Sequence, residues 1–117
     1  MPIKAEWTEF RLENIRLLPS NLMGVYECGY KRGNKVLYIG EGNIRANLIK
    51  HTKETKFVIV THFRKRKTDD HRRAEGRLMD EYRKAHNGKI PILNVQKPTA
   101  KNPPNPYVLL DKIKTMA

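Results

Sequence analysis

Cysteine is almost absent from the 117 residues: Cys28 stands alone. No internal disulfide framework is available to the chain, and a reducing compartment suits it. Acidic side chains are also scarce. Twelve Asp and Glu face 24 Lys and Arg, giving a formal net charge of +12 and a pI near 10.0. That imbalance favours a polyanionic partner, and nucleic acid is the commonest one for a small domain. No apolar run is long enough to span a membrane, and the opening MPIKAEWTEF lacks a signal peptide's apolar segment. A cytoplasmic chain with no membrane partner is therefore expected. The basic residues are scattered rather than gathered on one amphipathic helix, which argues against a membrane surface. The histidines show no zinc-ligand spacing, and no glycine loop of nucleotide-hydrolase type occurs. Composition alone does not separate a nuclease from a binder or a ribosomal-type protein.

What is present is a succession of short patterned stretches, most economically one domain. Residues 9–17 read as a short helix stopped by LPSN around Pro19. GVYECGY (24–30) and KVLYIG (35–40) read as strands of a hairpin across a glycine-containing loop. A turn centred near Arg32–Gly33 sets Tyr26 and Tyr38 opposite each other or within one register step. Asn43 is placed to cap a helix over about 44–54, with Ile44 and Leu48 as its i,i+4 apolar pair. KFVIVTHF (56–63) reads as a third strand, its apolar centre suggesting burial on both faces. A long helix is expected from Asp70 to His86, stopped by Gly88. PILNV follows, then a Pro-rich tail with a short helix over 107–114. The expected fold is α+β, a small antiparallel sheet with helices packed on it.

Helical spacing places Ala74, Leu78, Tyr82 and Ala85 on the core side of the long helix. Glu75 and His71 point to nearly the same side, while Arg73, Arg77, Asp80, Arg83 and Lys84 point away. A carboxylate at the edge of an apolar face costs desolvation unless something pairs with it: a metal ion, or a nearby arginine in a structural pair. The run FRKRKTDDHRR carries Arg64, Lys65, Arg66, Lys67 and Arg72 as candidate phosphate contacts, or as a solvated connection. Trp7 and Tyr30 are aromatics of a core or a stacking surface. His62 and His86 read as structural or capping residues, and Cys28 as a small core residue.

GVY at 24–26 and YIG at 38–40, followed by a basic helix ending in His51, AEGRLMDEY on a later helix, and an asparagine in PILN, together resemble the GIY-YIG nuclease superfamily. The likeness covers about residues 22–95. It implies an N-terminal extension (1–22), a nuclease domain (23–97) and a connection and tail (98–117). It also implies a three-stranded antiparallel sheet flanked by helices. The expected activity is metal-dependent endonuclease cleavage of DNA phosphodiesters. One divalent ion, Mg²⁺ or Mn²⁺, would be held by Glu75. Tyr26 and Tyr38 become the signature tyrosines, one activating the attacking water, with His51 on the first helix and Asn94 as a supporting residue. A tyrosine needs nearby positive charge to act as a base near neutrality, and the basic background works in that direction.

The sequence departs from the family pattern at one place. The family's phosphate-binding arginine lies one helical turn before the histidine, and counting back from His51 gives Asn47. Arg45 lies two residues earlier, about 200° away around an ideal helix. Either Arg45 takes the catalytic role from the first turn, or the cation is missing and Asn47 contributes hydrogen bonds alone. The second case leaves a nucleic-acid-binding module of the same fold with weakened or lost cleavage.

Overall fold

Alternation along the central hairpin assigns side chains to two faces, and each face has its own helical cover. The computed structural model describes residues 3, 5–31 and 35–94. It is α+β, with three α-helices on a four-stranded antiparallel sheet. The strands are β1 (Thr8–Glu9), β2 (Met23–Tyr30), β3 (Lys35–Asn43) and β4 (His62–Lys67), ordered β1-β4-β2-β3. The helices are α1 (Leu12–Ile15), α2 (Ile44–Thr52) and α3 (His71–Ala85), joined by 3-10 helices at Thr55–Ile59 and Ile92–Asn94. Three strands were expected; the fourth is β1, which pairs Thr8 with Phe63 and Glu9 with His62. The stretch before residue 23 thus joins the sheet, and Ile3 and Ile15 are buried in the two cores. The expected helix over 9–17 shortens to α1, a single turn.

On one face Tyr26, Cys28, Leu37 and Phe63 pack against Ile15, Ile44, Leu48, Phe57, Ile59, Val60 and Leu93. On the other, Val25 and Ile39 pack against Ile3 and against Ala74 and Leu78 of α3. The α3 stripe runs as far as the half-buried Tyr82, and Ala85, expected on it, is exposed where the helix ends. Gly88 then adopts φ +81° and donates its N–H to the Arg83 carbonyl at 2.8 Å, closing the helix as expected.

The third strand lies downstream of its expected place. Phe57, Ile59 and Val60 are buried but Val58 is exposed, so the apolar run forms a 3-10 cap over the α2-side core. Short apolar runs do not reveal their period, and here neither face of a strand is needed. The basic residues after it form β4 instead. β1 covers only the first two residues of β4, so the outer edge beyond them carries Lys and Arg, side chains that discourage strand addition. Among the described residues no helix is long and apolar enough to cross a membrane. Residues 32–34, where the hairpin turn is expected, and residues 95–117, with the expected helix over 107–114, lie outside the described residues.

Candidate functional site

Tyr26 faces Gly40 across the hairpin, and Tyr38 faces Cys28. The tyrosines are therefore two register steps apart on a diagonal, not the one step expected. A β-bulge causes part of this: Gly29 faces Val36, leaving Leu37 as the extra residue. They remain neighbours, with ring centroids 6.1 Å apart and the rings tilted by 31°. Tyr26 lies across Gly40, where a Cβ would stand 2.4 Å from its Cζ and Oη. Only glycine leaves room for the ring.

Beyond Gly40 the chain turns directly into α2. Gly42 takes φ +111°, and Asn43 caps the helix by accepting the Ala46 N–H at 3.0 Å. Ile44 and Leu48 are fully buried, as the i,i+4 pair requires. The same seating brings Asn47 and His51 over the tyrosines. Asn47 Nδ2 donates to the Glu41 carbonyl at 2.9 Å, and Asn47 acts on the Tyr26 phenol in the direction that lowers its pKa. His51 Nε2 lies 2.8 Å from Tyr26 Oη, and Nδ1 lies 2.8 Å from Glu54 Oε1. The imidazole stacks on Phe57 at 4.0 Å and meets Tyr38 edge-on at 4.9 Å. Its orientation is fixed on all sides. Arg45, about 200° from Asn47 on the helix, has a buried Nε without a hydrogen-bond partner among the described residues.

From the opposite face α3 brings Glu75, half-buried. Burial raises its pKa, and Glu41 raises it further. Glu41 itself accepts a hydrogen bond from His71 Nδ1. Glu75 in turn acts electrostatically on Tyr38, raising its pKa after the larger effect of burial. Asn94 is engaged differently. Its Oδ1 accepts the Ile39 N–H and its Nδ2 donates to the Ile39 carbonyl, each at 2.9 Å. It extends the hydrogen bonding of β3, an edge strand, and anchors the 3-10 helix Ile92–Asn94.

The tyrosines run against one expectation. The basic background does not draw their pKa values down: burial, first, pushes Tyr26 and Tyr38 upward, and the Glu75 and Glu54 carboxylates add to it at Tyr38. His51 is held below its ordinary value, mainly by burial, although Glu54 opposes that shift. Of the basic run, Arg64 is turned to structural use. Its Nε is 2.7 Å from Glu27 Oε1, and its guanidinium lies 4.4 Å from the Trp7 ring centroid. Arg66, Lys67 and Arg72 are exposed and Lys65 is half-buried. Trp7 thus serves as a cation–π partner, Cys28 is a buried core residue, and His86 stacks on Tyr82 and bonds its carbonyl.

Glu41, Glu54, Lys56 and Phe57 complete the cluster without belonging to the recognised motif. Glu41 is traceable from strand alternation two residues after Ile39, and Glu54 from its place three residues after a helix-terminal histidine. Lys56 donates to the Leu93 carbonyl at 3.0 Å and sits 6.0 Å from the Tyr38 ring, a contact that no spacing announces. Among the described residues no group of three or more His, Cys, Asp or Glu is placed to hold a metal ion.

The chain matches a family model described as a domain of unknown function (DUF7508) over residues 1–85, and it belongs to that family. No curated protein and no solved structure matches it.

Proposed function

We propose that this DUF7508 protein is a metal-dependent endonuclease of GIY-YIG type that hydrolyses DNA phosphodiester bonds. The observation that carries the reading is the convergence of Tyr26, Tyr38, His51 and Asn47 on one side of the hairpin with Glu75 acting on Tyr38 from the other. Three separate chain segments supply groups that a phosphodiesterase needs: phenols to handle a proton, an amide donor for a phosphate oxygen, and a carboxylate short of positive charge.

The donor set fits a hard divalent cation that keeps most of its waters. Mg²⁺ is commonly bound through one or two carboxylates plus substrate phosphate. Glu75, raised by burial and by Glu41, is a carboxylate whose ionisation such a cation would favour. Bound there, the ion would offset charge building on the leaving oxygen. Asn47 offers a hydrogen bond to a non-bridging oxygen but no charge. Asn94 holds β3, and thereby Tyr38, in place.

The surface supports a polyanion partner. Arg72 and Arg73 occupy the first turn of α3, Arg73 lying 3.4 Å from the exposed carboxylate of the N-cap Asp70. Cations at the positive end of a helix oppose its dipole, and a nearby phosphate relieves that opposition. Lys65, Arg66 and Lys67 extend the positive surface along the open edge of β4. Such contacts hold a backbone without reading sequence.

Asn47 favours a second reading, a binding module of the same fold with little cleavage, because the amide stands where a guanidinium would neutralise the phosphate. Incubation with plasmid, single-stranded and branched DNA, with and without Mg²⁺ or Mn²⁺, separates the two. Metal-dependent nicking supports the nuclease. Binding with a steep salt dependence and no cleavage in any metal supports the module.

A further inference from the structure

We propose that Glu54 is a positioning residue for this site, fixing His51 as the proton acceptor for Tyr26 in a directed line that runs Tyr26, His51, Glu54. The inference rests on the nuclease reading above. It begins from exposure: Tyr26 is only 1 % exposed and His51 6 %, whereas Tyr38 is half-buried and open to solvent. Tyr38 is therefore the phenol that meets bulk water, and Tyr26 is the one held against His51.

The direction of the line follows from its far end. A carboxylate accepts and does not donate, so Glu54 Oε1, 2.8 Å from Nδ1, holds the proton on Nδ1. Nε2 is left with its lone pair and accepts the Tyr26 O–H at 2.8 Å. Tyr26 oxygen keeps its lone pairs free, and the Tyr38 ring lies 6.1 Å from the Tyr26 ring. Every member has one assigned direction. The backbone secures the last joint, because the Glu54 N–H donates to the His51 carbonyl at 3.0 Å at the end of α2. The Glu54 side chain, 32 % exposed, lines a cleft of about 420 Å³ with Phe10, Lys53 and Phe57, so it keeps contact with water. The ionisable groups acting on His51 are Tyr26 from β2, Tyr38 from β3, Lys50 from α2, Glu54, and Lys56 from the following 3-10 helix.

In hydrolysis the attacking water gives up a proton to the Tyr26 oxygen as the Tyr26 O–H proton passes to Nε2. The water oxygen bonds to phosphorus, and the P–O bond to the leaving oxygen breaks with its electron pair. Solvent water protonates that oxygen. The imidazolium is stabilised by the Glu54 carboxylate until its Nε2 proton returns to Tyr26 and Tyr26 releases one to solvent. No standing phenolate is required.

Ring-nitrogen NMR on the intact histidine-labelled chain, read beside cleavage of plasmid DNA with Mg²⁺, tests the assignment. The parent is expected to carry the His51 proton on Nδ1. Glu54→Gln should lower the His51 pKa, reduce kcat by about 10²-fold or more, within the range that proton-transfer catalysis contributes, and leave KM nearly unchanged. The acid limb of the pH–rate profile should move to lower pH with it, and Glu54→Asp should restore part of the rate. A proton on Nε2 in the parent, or a His51 pKa indifferent to Glu54→Gln, overturns the line whatever the activity. The expected tautomer and pKa response without cleavage under any metal condition keeps His51 as the acceptor for Tyr26 and overturns the nuclease reading.

Discussion

Glu27 and Glu75 are both carboxylates on the α3-bearing side of the sheet, yet their surroundings are opposite. Glu27 is buried and meets Arg64, its register partner on β4, at 2.7 Å. Glu75 is half-buried with no cation bonded to it among the described residues, and the charge that acts on it is another carboxylate, Glu41. A carboxylate matched inside the protein is spent on the fold. One left short of positive charge is available to something that arrives from outside. The difference separates the scaffold from the site, and substitutions at each corner should separate with it.

Arg64→Ala should have the largest effect on stability. Removing one partner leaves Glu27 charged and buried, which costs about 3–5 kcal/mol, and denaturant unfolding measures it. Arg66→Ala, on the exposed part of the same strand, should leave the unfolding midpoint nearly unchanged and only weaken DNA binding. Equal stability of the two variants would remove the distinction between the corners.

Asn47→Arg comes next. The Asn47 side chain bonds the Glu41 carbonyl beside the tyrosines, so on the nuclease reading an arginine there would bring its guanidinium to the scissile phosphate. A gain of about 10²–10³ in cleavage rate is expected, the size of one preorganised transition-state contact. Arg45→Ala should change the rate little, since Arg45 projects from the far side of α2. A collapse of activity in Arg45→Ala would reverse the assignment.

Gly40→Ala probes the packing of Tyr26. The added Cβ would stand 2.4 Å from the phenol, so the ring must move and the bond to His51 must lengthen. Overpacking of this kind costs about 1–3 kcal/mol. A lowered melting temperature and a shifted His51 Nε2 resonance should appear together; an unperturbed imidazole would show that the ring has another way to settle.

How these corners could be read in advance differs residue by residue. The hairpin, the Asn43 cap, the Ile44–Leu48 pair and the Gly88 stop were legible, because each depends on local geometry. β4 was not, because FVIV looks equally like a strand and like the 3-10 cap it forms. The diagonal between Tyr26 and Tyr38 was hidden by the bulge at Leu37, which spacing does not mark. Glu75 stood out as a carboxylate on an apolar face. Its neighbour Glu41 did not, since its meaning depends on where α3 docks. Arg64 was one basic residue among five until the register set it against Glu27.

Acid pH gives the smallest effect, with two opposed contributions. His51 has a folded-state pKa below its ordinary value of about 6.5, chiefly from burial. Stability from that group is complete above the unfolded value and falls as the pH drops below it, levelling once the folded value is passed. Glu75 has a raised folded-state value, from burial and then Glu41, so acidification through it towards the unfolded value adds stability. Thermal melts between pH 4 and 8 (~1 °C resolution suffices at the 4–8 °C per kcal/mol of a domain this size) should therefore fall more steeply below pH 6.5 in Glu75→Gln than in the parent. Parallel curves would mean that Glu75 has no such shift.

The most direct measurement sets Glu75→Gln beside the parent in one metal-dependent DNA cleavage assay, with binding and melting temperature recorded on the same samples. Cleavage should disappear, DNA affinity should stay almost unchanged, and the melting temperature at neutral pH should hold or rise, because a repelled carboxylate has been removed. Cleavage near the parent rate, with a lowered melting temperature, would make Glu75 a structural residue like Glu27 and contradict the account.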